Sequence, residues 1–387
     1  MSAERPRLPA LAARLALAAA LPLLAALPAA AQGFAGMGQG AGEGWREVTP
    51  GRVFEFPRDH APHPGHRIEW WYVTANLEGP DGARYGAQWT LFRQSLSPSP
   101  EEDGWSAPQL WMAHAAVTSE KTHHAAERFG RAGVGQAGVT LAPFRAWIDD
   151  WRLESASPDP DAPFAPLRMA ASGDGFSFDL ALSPDGPLVL QGEGGFSQKS
   201  ESGTASYYYS HPFLLASGRL DLGDGPVEVT GRAWLDREWS TQALEGEAAG
   251  WDWFALHLPG GEKAMIAQVR GDGAPFRAAT WIAPNGEARP LPPDAVTVTP
   301  LRTQEVADRD VPVRWRLEVP SEGLDIVASA LNPQAWMPTV FAYWEGPIAF
   351  EGTHDGVGYL EMMSRPSDGT SRRQRTGTSR SATSCVR

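Results

Sequence analysis

The stretch HRIEWWYVTANLEGPDGARYGAQWTLFRQSL, residues 66–96, predicts two β-strands joined by a tight turn. Apolar and polar residues alternate with a period of two in 68–77 and 84–94, and Gly-Pro-Asp-Gly at 79–82 suits the positive φ of a hairpin turn. The alternation gives the first strand two faces. One face holds Ile68, Trp70, Tyr72, Thr74 and Asn76, and the other holds Glu69, Trp71, Val73, Ala75 and Leu77. The sequence therefore places one carboxylate, Glu69, on an apolar face.

Glu69 has two interpretations. If its face lines the interior of a barrel, desolvation raises the pKa of the carboxyl group and makes Glu69 a general acid or a hydrogen-bond donor to a ligand. The alternative is a buried ion pair with Arg93 or Arg67 that only ties strands together. The strand pattern by itself favours the ion pair, because structural ion pairs also perturb pKa values.

The rest of the chain has the same strand-like character. Short runs with period-two alternation are separated by Gly, Pro, Asp and Asn, and the 34 Pro argue against long helices. The further runs are 110–119, 144–154, 167–184, 188–197, 226–239, 251–258, 263–271, 277–286 and 313–320. We expect an all-β protein built from antiparallel sheets. Roughly 330 residues of folded body exceed what one barrel needs, so two barrels are predicted.

The two ends of the chain differ from this body. Residues 1–31 combine early Arg residues, a short apolar run and three Ala, which is typical of a cleavable signal peptide. A membrane anchor is the alternative, but the run is shorter than the ~20 apolar residues of a bilayer span. We expect export to the periplasm or medium, and no membrane-spanning segment after cleavage. Residues 364–387 are rich in Ser, Thr and Arg, which predicts a disordered basic tail or out-of-frame sequence.

Composition excludes several classes of function. The formal net charge is −13, so an exported chain of this kind is a poor partner for nucleic acid. The single Cys, Cys385, lies near the end, so the body has no disulfide, thiolate metal site or Cys nucleophile. No G-x-S-x-G elbow, phosphate-binding loop of the P-loop type or strand-linked G-x-G-x-x-G occurs.

A second strand carries carboxylates among aromatic residues. In RAWLDREWSTQ, residues 232–242, one face holds Trp234, Asp236 and Glu238. Two carboxylates on one face repel each other, so they share a proton or one pKa rises. The alternatives are a solvated face or a salt bridge with Arg232.

Upstream, SYYYSHP at 206–212 brings Tyr207, Tyr208, Tyr209 and His211 together. Their phenol groups are expected to donate hydrogen bonds into the same cavity as the carboxylates. The alternative is a packed aromatic edge with no ligand.

The segment DHAPHPGH, residues 59–66, is a weak candidate for a metal site. It spaces His60, His63 and His66 by three, with Asp59 and Glu69 on either side. Three His ligands with an open position are a known zinc arrangement. The segment is Pro-rich and not helical, however, so a surface loop or a packing role is favoured, and we expect no metal or other cofactor.

The order of these motifs resembles the AttH-type secreted proteins. FPRDHAPHPGHRIEWWYVTANL, YGAQWTLFR, SYYYS, AWLDREWS and GWDWFALHL occur in sequence over most of residues 50–361. That group is related to carotenoid 1,2-hydratases and, more distantly, to lipocalin-like fungal cyclases and hydratases. The resemblance implies two lipocalin-like antiparallel β-barrel domains, at 45–243 and 244–363, after a flexible linker at 32–44. It also implies that the two carboxylate strands meet in one apolar cavity.

The same resemblance implies a candidate acid. The Tyr-x-Asp-x-Asn motif of carotenoid hydratases matches residues 234–238, where the Asp is Asp236, the Tyr is replaced by Trp234 and the Asn by Glu238. We expect Asp236 to protonate a C=C bond, with Glu238 or Glu69 as the second carboxylate and no cofactor. The cavity walls are expected to be Trp71, Trp234, Tyr207, Tyr208, Tyr209 and Trp239. The alternative function is a lipid or isoprenoid carrier without turnover.

Overall fold

The computed structural model describes residues 44–98, 104–157, 159, 164, 166–241, 250–271 and 273–364. The predicted signal peptide, the linker up to residue 43 and the tail from residue 365 lie outside the described residues. The predicted domain boundary at 243/244 lies there too and stays a prediction. Among the residues described, no helix is long and apolar enough to cross a membrane.

The all-β prediction is confirmed, since strands and short 3₁₀ turns are the regular structure of the described residues. The first sheet contains β1 Ile68–Glu78, β2 Arg84–Ser95, β3 Gln109–Ser119, β4 His123–Arg131, β5 Ala137–Leu141, β6 Phe144–Ile148, β7 Trp151–Ser155, β8 Leu167–Gly173, β9 Phe176–Pro184, β10 Val189–Leu190, β11 Phe196–Gln198, β12 Ala205–Asp221 and β13 Pro226–Ser240. The 3₁₀ turns are Arg58–His60, Gly104–Ser106, Pro293–Ala295 and Pro320–Glu322.

The second sheet follows in the chain. It contains β14 Gly250–His257, β15 Lys263–Arg270, β16 Phe276–Ile282, β17 Ala288–Leu291, β18 Thr297–Val306, β19 Arg309–Val319, β20 Leu324–Ala330, β21 Trp336–Met337, β22 Tyr343–Gly352 and β23 Gly356–Ser364. Both sheets are antiparallel and curled, and they form a barrel and a half-barrel, as the sequence predicted.

The strand order of the first sheet places β1 in its interior, between β2 and β13. The order is β4-β3-β2-β1-β13-β12-β9-β8-β7-β6-β5, so β1 pairs with β2 on one side and with β13 on the other. The predicted turn between β1 and β2 forms, and Gly82 has a φ of 80° there. The hairpin therefore sets the register of β1, and the long-range pairing with β13 joins the two carboxylate strands side by side.

Three apolar layers result from this arrangement. The concave side of each sheet holds its own hydrophobic core, with Trp71 and Leu235 in the first and Phe254 and Leu360 in the second. A third cluster lies between the sheets and includes Tyr72, Tyr208, Phe213, Trp234, Trp253 and Tyr359. Strands β1 and β13 thus pack on both faces, because their outer face is covered by the second sheet.

Gly86 of β2 lies where the two sheets approach each other closely. A Cβ atom at this position would lie 2.6 Å from Pro347 and 3.0 Å from the hydroxyl of Tyr359, both in the second sheet. We expect Gly86→Ala to lower the free energy of unfolding in urea by about 1–3 kcal/mol, because overpacking strains the contact. Gly271→Ala is the matched control, since nothing lies within 4 Å of that Cβ. Equal stabilities of the two variants would contradict this packing.

Candidate functional site

The register between β1 and β13 separates two groups of polar residues. Residues paired directly across an antiparallel ladder project to the same side of the sheet. Glu69 is paired with Trp239, and Tyr72 is paired with Asp236. Glu69 therefore faces the interior of the first sheet, whereas Asp236 faces the second sheet. The prediction that the carboxylates of both strands share one cavity is wrong for Glu69.

Glu69 is the centre of a buried charge cluster. Its side chain is fully buried and forms ion pairs with Arg93 and Arg237, which are equally buried. The amide of His63 donates to Glu69 Oε1 at 2.8 Å. Arg237 also lies 3.6 Å from the centre of the Trp71 ring, measured from its guanidinium carbon. Of the two partners considered from the sequence, Arg93 is the observed one, and Arg237 was not foreseen.

Charge compensation decides the protonation state of Glu69. Burial acts to raise the pKa of this carboxyl group, but the nearby charges of Arg93 and Arg237 outweigh burial and hold the pKa well below its usual range. A carboxylate in that state is ionised at neutral pH and cannot act as a proton donor. The prediction of a general acid with a raised pKa at Glu69 is therefore wrong, because two guanidinium groups neutralise the charge.

The three His of the 59–66 segment do not converge on one point. His60 Nδ1 lies 2.6 Å from the hydroxyl of Tyr209, while His63 contacts Glu69 and Asp59 at 3.2 Å each. Neither ring nitrogen of His66 has a hydrogen-bond partner. Within the described residues, no group of three His, Cys, Asp or Glu side chains is arranged to hold a metal ion. The segment packs over the Glu69 cluster, as the structural alternative predicted.

Four of the expected cavity walls lie on this inner side. Tyr207, Tyr209 and Trp239 form an aromatic cluster with Phe54, and Trp71 belongs to the core of the first sheet. The hydroxyl of Tyr207 bonds the backbone of Thr49. The expectation that these four side chains line the ligand cavity is therefore corrected: the strand alternation turns them away from it, and the packed aromatic edge is the observed arrangement.

The cavity lies between the two sheets, on the outer face of β1 and β13. Its volume is about 160 Å³. Six aromatic side chains line it: Trp70, Tyr72, Phe92, Tyr208, Trp251 and Trp253. Of the predicted site residues, Asp236, Glu238 and Tyr208 line this cavity, and Trp234 contacts Asp236 from the adjacent position.

Asp236 is buried, and the groups that donate hydrogen bonds to it are all neutral. Its carboxyl group accepts hydrogen bonds from Tyr208 at 2.7 Å, Ser210 at 2.5 Å and Trp234 Nε1 at 2.6 Å. Burial raises the pKa of Asp236 to about 7, although the three hydrogen bonds act to lower it, and the charge of Glu238 adds a smaller upward contribution. Burial, rather than the repulsion by Glu238 considered from the sequence, is therefore the main cause of the raised pKa of Asp236.

Glu361 of β23 is a second carboxyl group of the same type. It lines the cavity from the second sheet and accepts a hydrogen bond from Trp251 Nε1. Burial raises the pKa of Glu361 to about 7 despite that hydrogen bond, and the charges of Asp236 and Glu238 contribute further. Two carboxyl groups from different sheets thus titrate in one pH range on one cavity.

Glu238 has a different role in the cavity wall. Its carboxylate pairs with Lys199, the Nζ to Oε1 distance being 2.9 Å. The Lys199 ammonium also lies 4.8 Å from the centre of the Tyr208 ring. Lys199, rather than Arg232, is therefore the observed partner of Glu238.

Several residues of the cavity were not identified from the sequence. Trp251, Trp253, Lys199 and Glu361 come from the second sheet or from the loop before β12. The sequence did contain a pattern for the two Trp, because aromatic and polar residues alternate in WDW at 251–253, as they do in β1. No local pattern indicates that β23 places Glu361 opposite β13, because that contact depends on how the two sheets pack.

The comparisons with known proteins agree with this architecture. Residues 47–365 match the family described as AttH-like. The chain belongs to the AttH-like family. A putative AttH from Nitrosomonas europaea, solved as a crystal structure, is 34% identical with a TM-score of 0.72, and the match covers 82% of this chain and 98% of that one.

More distant structures share the fold. Kievitone hydratase from Nectria haematococca is 19% identical to this AttH-like chain with a TM-score of 0.62, over 83% of this chain and 97% of that one. CghA, solved with Sch210972, is 14% identical with a TM-score of 0.51, over 84% and 97%. No curated protein matches the chain.

Removing the charge of Glu69 should destabilise the AttH-like fold. Glu69→Gln keeps the side-chain shape but leaves Arg93 and Arg237 buried without a counter-charge, so we expect a loss of about 3–5 kcal/mol in the free energy of unfolding. The control is Glu120→Gln, which breaks an exposed pair with Arg84 and should cost at most about 1 kcal/mol. Urea unfolding followed by Trp fluorescence measures both, and similar losses would show that the cluster is not a structural centre.

The raised pKa of Asp236 predicts a pH-dependent stability difference. The unfolded carboxyl group ionises near 3.8 and the folded one near 7, so the folded state holds an extra proton between these values. The stability that Asp236 contributes is present below pH 4 and is lost as pH rises to 7. Asp236→Asn does not titrate, so its stability relative to the parent should rise across this range by up to about 1.4 kcal/mol per pH unit. Unfolding in urea at several pH values measures it, and a constant difference would be the contrary result.

Proposed function

We propose that this AttH-like chain binds a hydrophobic, isoprenoid- or lipid-like small molecule between its two sheets and adds water to it as a cofactor-free, acid-catalysed hydratase. The observation that carries the proposal is the pair Asp236 and Glu361, two carboxyl groups with pKa values of about 7 on one aromatic cavity. Enzymes of this type need one acid and one base that exchange protons near the working pH.

The proposed reaction uses each carboxyl group once. Because the two groups repel each other when both are ionised, the pair holds one proton near neutral pH. The protonated carboxyl group transfers its proton to one carbon of a C=C bond, and the neighbouring carbon becomes cationic. Water attacks that carbon through oxygen, and the ionised carboxylate accepts the proton that the water loses. The product has gained one H and one OH, and the pair still holds one proton.

The aromatic walls suit the cationic intermediate. The faces of Trp and Tyr rings attract positive charge, by about 2 kcal/mol or more when the site is desolvated. Trp70, Tyr72, Tyr208, Trp251 and Trp253 supply such rings on both sides of the cavity. These rings lower the energy of the carbocation at the position where it forms. Stabilisation of developing charge in this way is the requirement for an electrostatic contribution to catalysis.

The volume of the cavity limits the part of the substrate that is enclosed. A cavity of about 150 Å³ holds one benzene molecule, and the cavity between the sheets measures about 160 Å³. One ring or the branched end of a longer chain therefore fits inside, and the rest of a larger substrate must extend outward. A C=C bond near the end of the molecule is the chemistry that this geometry supports.

Two proteins of the same fold support the direction of the proposal. One of them is named as a hydratase, kievitone hydratase, and another, CghA, was solved with Sch210972. Their sequence identities, 19% and 14%, support the fold rather than the substrate.

We also propose export from the cytoplasm, which rests on the sequence of residues 1–31.

The hydrogen bonds around Asp236 favour a second candidate function. Three donors, from Tyr208, Ser210 and Trp234, already occupy its carboxyl oxygens. A carboxyl group held in this way can fix a strand crossing and need not reach the ligand. A lipid or isoprenoid carrier without turnover would use the same cavity and the same walls.

Turnover in isotopically labelled water separates the two functions. The chain is purified from its own host, the bound apolar compound is extracted, and that compound is incubated with fresh protein in H₂¹⁸O. A hydratase yields a product heavier by one labelled water, detected by mass spectrometry. Asp236→Asn and Glu361→Gln should each reduce the rate by about 10²–10⁴-fold, because each removes a proton-transfer group, while the compound still binds.

Asp179→Asn is the matched control for turnover, because Asp179 is exposed and paired with Arg168 on the outside of the first sheet. Its rate should equal that of the parent. If the compound binds and no labelled water enters it at any pH, the carrier function replaces the hydratase.

A further inference from the structure

The charges around the cavity do not balance. Asp236 and Glu361 accept hydrogen bonds from neutral hydroxyl and indole groups alone, and within the described residues neither forms an ion pair. Lys199 is the cation on the cavity wall, and its ammonium is paired with Glu238. Buried carboxyl groups are normally protonated or matched by a positive charge. Two carboxyl groups of this cavity therefore lack a positive partner from the chain itself.

Hydrogen-bonding atoms on the wall are unused as well. Gln268 donates through Nε2 to Asp252, which leaves its carbonyl oxygen, Oε1, buried without a partner. The hydroxyl groups of Thr204 and Ser206 are also buried without partners. All three residues line the cavity and are at least nine-tenths buried. Because a carbonyl oxygen can only accept a hydrogen bond, the wall offers an acceptor to a hydroxyl or N–H group beside the charge of a ligand.

One ammonium group of the protein, that of Lys199, already contacts an aromatic ring of the cavity wall. Lys199 Nζ lies 4.8 Å from the centre of the Tyr208 ring, within the range of a cation–π contact. The remaining rings of Trp70, Tyr72, Trp251 and Trp253 line the cavity beyond it. Aromatic walls combined with carboxylates are the usual surroundings of a bound quaternary ammonium group.

We propose that the cavity between the sheets binds a compact organic cation, such as a substituted ammonium group, through its aromatic walls and through Asp236 and Glu361. The proposal rests on the proposed function in using the same cavity, but it does not require turnover. A trimethylammonium group fits a volume of about 160 Å³. The positive charge replaces the partner that both carboxyl groups lack. The same surroundings also favour the cation that forms when a C=C bond is protonated.

The proposal predicts how binding depends on pH. Asp236 and Glu361 have pKa values of about 7, so they are mostly neutral at pH 6 and mostly ionised at pH 8. A bound cation favours the ionised forms, so binding should release protons and strengthen with pH. The phenol groups of Tyr72 and Tyr208 stay neutral in this range, because burial raises their pKa values well above 10.

Three other carboxyl groups line the cavity or lie behind its wall. Glu238 lines the cavity and is paired with Lys199 at 2.9 Å. Asp252 lies behind Gln268 and is paired with Arg270. Glu345 lies behind Tyr72, which donates to it at 2.5 Å, and burial raises the pKa of Glu345 well above its usual range, so it stays neutral. The pH dependence is therefore assigned to Asp236 and Glu361.

The test compares a cation with an uncharged molecule of the same shape. Choline and 3,3-dimethyl-1-butanol differ by one atom, a charged nitrogen in place of a carbon. Isothermal titration of the full chain at pH 8 should give an affinity for choline about tenfold or more above that for the alcohol. The preference should shrink at pH 6, and titrations in phosphate and in Tris should show proton release.

Two variants place the binding in this cavity. Glu361→Gln and Asp236→Asn should each weaken choline binding by about tenfold at pH 8 and leave the alcohol unaffected, because they remove charge and keep shape. Glu345→Gln is the matched control, since Glu345 is already neutral and its loss should not change the affinity for choline. Circular dichroism and urea unfolding confirm that each variant is folded.

The outcomes separate this inference from the proposed function. Tighter choline binding that is lost in Glu361→Gln supports the cation site. Equal affinities for choline and the alcohol overturn the cation site but leave an apolar cavity for the hydratase. Choline binding that survives both substitutions places the cation elsewhere and overturns the inference. If neither compound binds, the cation site and the enclosed apolar cavity both fail.

Discussion

The pairing of β1 with β13 is the constraint on which the rest of the structure depends. These two strands are neighbours in the interior of the first sheet, and their outer face is covered by the second sheet. Because side chains alternate along each strand, the register fixes every residue on one of two sides. A slip of β1 by one position would put Glu69 on the cavity side, and a slip of β13 would put Asp236 among the core residues. The charge cluster on the inner side holds that register, since Glu69 of β1 pairs with Arg237 of β13.

Glu69 and Asp236 show how neighbours, rather than burial, decide the state of a carboxyl group. Both are almost completely inaccessible to solvent. Two guanidinium groups keep the pKa of Glu69 well below its usual range, while Asp236 has neutral donors and a pKa of about 7. The first group is a fixed charge that joins strands and the 59–66 segment. The second has a pKa near neutral, so one sheet holds an ionised carboxylate on one side and a carboxyl group of raised pKa on the other.

The cavity depends on contacts between the sheets. Its lining residues come from β1, β2, β12, β13 and the loop before β12 on one side and from β14, β15 and β23 on the other. Tyr72 reaches Glu345, and Trp253 donates to Tyr208 at 3.2 Å, so polar bonds join the two walls. The site is therefore a property of the assembled chain, and neither sheet contains it alone.

The sequence by itself determined the strands, the two faces of β1 and β13, and the presence of Asp236 and Glu238 on one of them. Local rules suffice for these features, because alternation and turn residues act over a few positions. Only the tertiary structure decided which face lines the cavity, that Arg237 neutralises Glu69, and that Glu361 lies on the cavity. These features depend on contacts between residues far apart in the chain, and no local pattern records how two sheets pack or which charges they bring together.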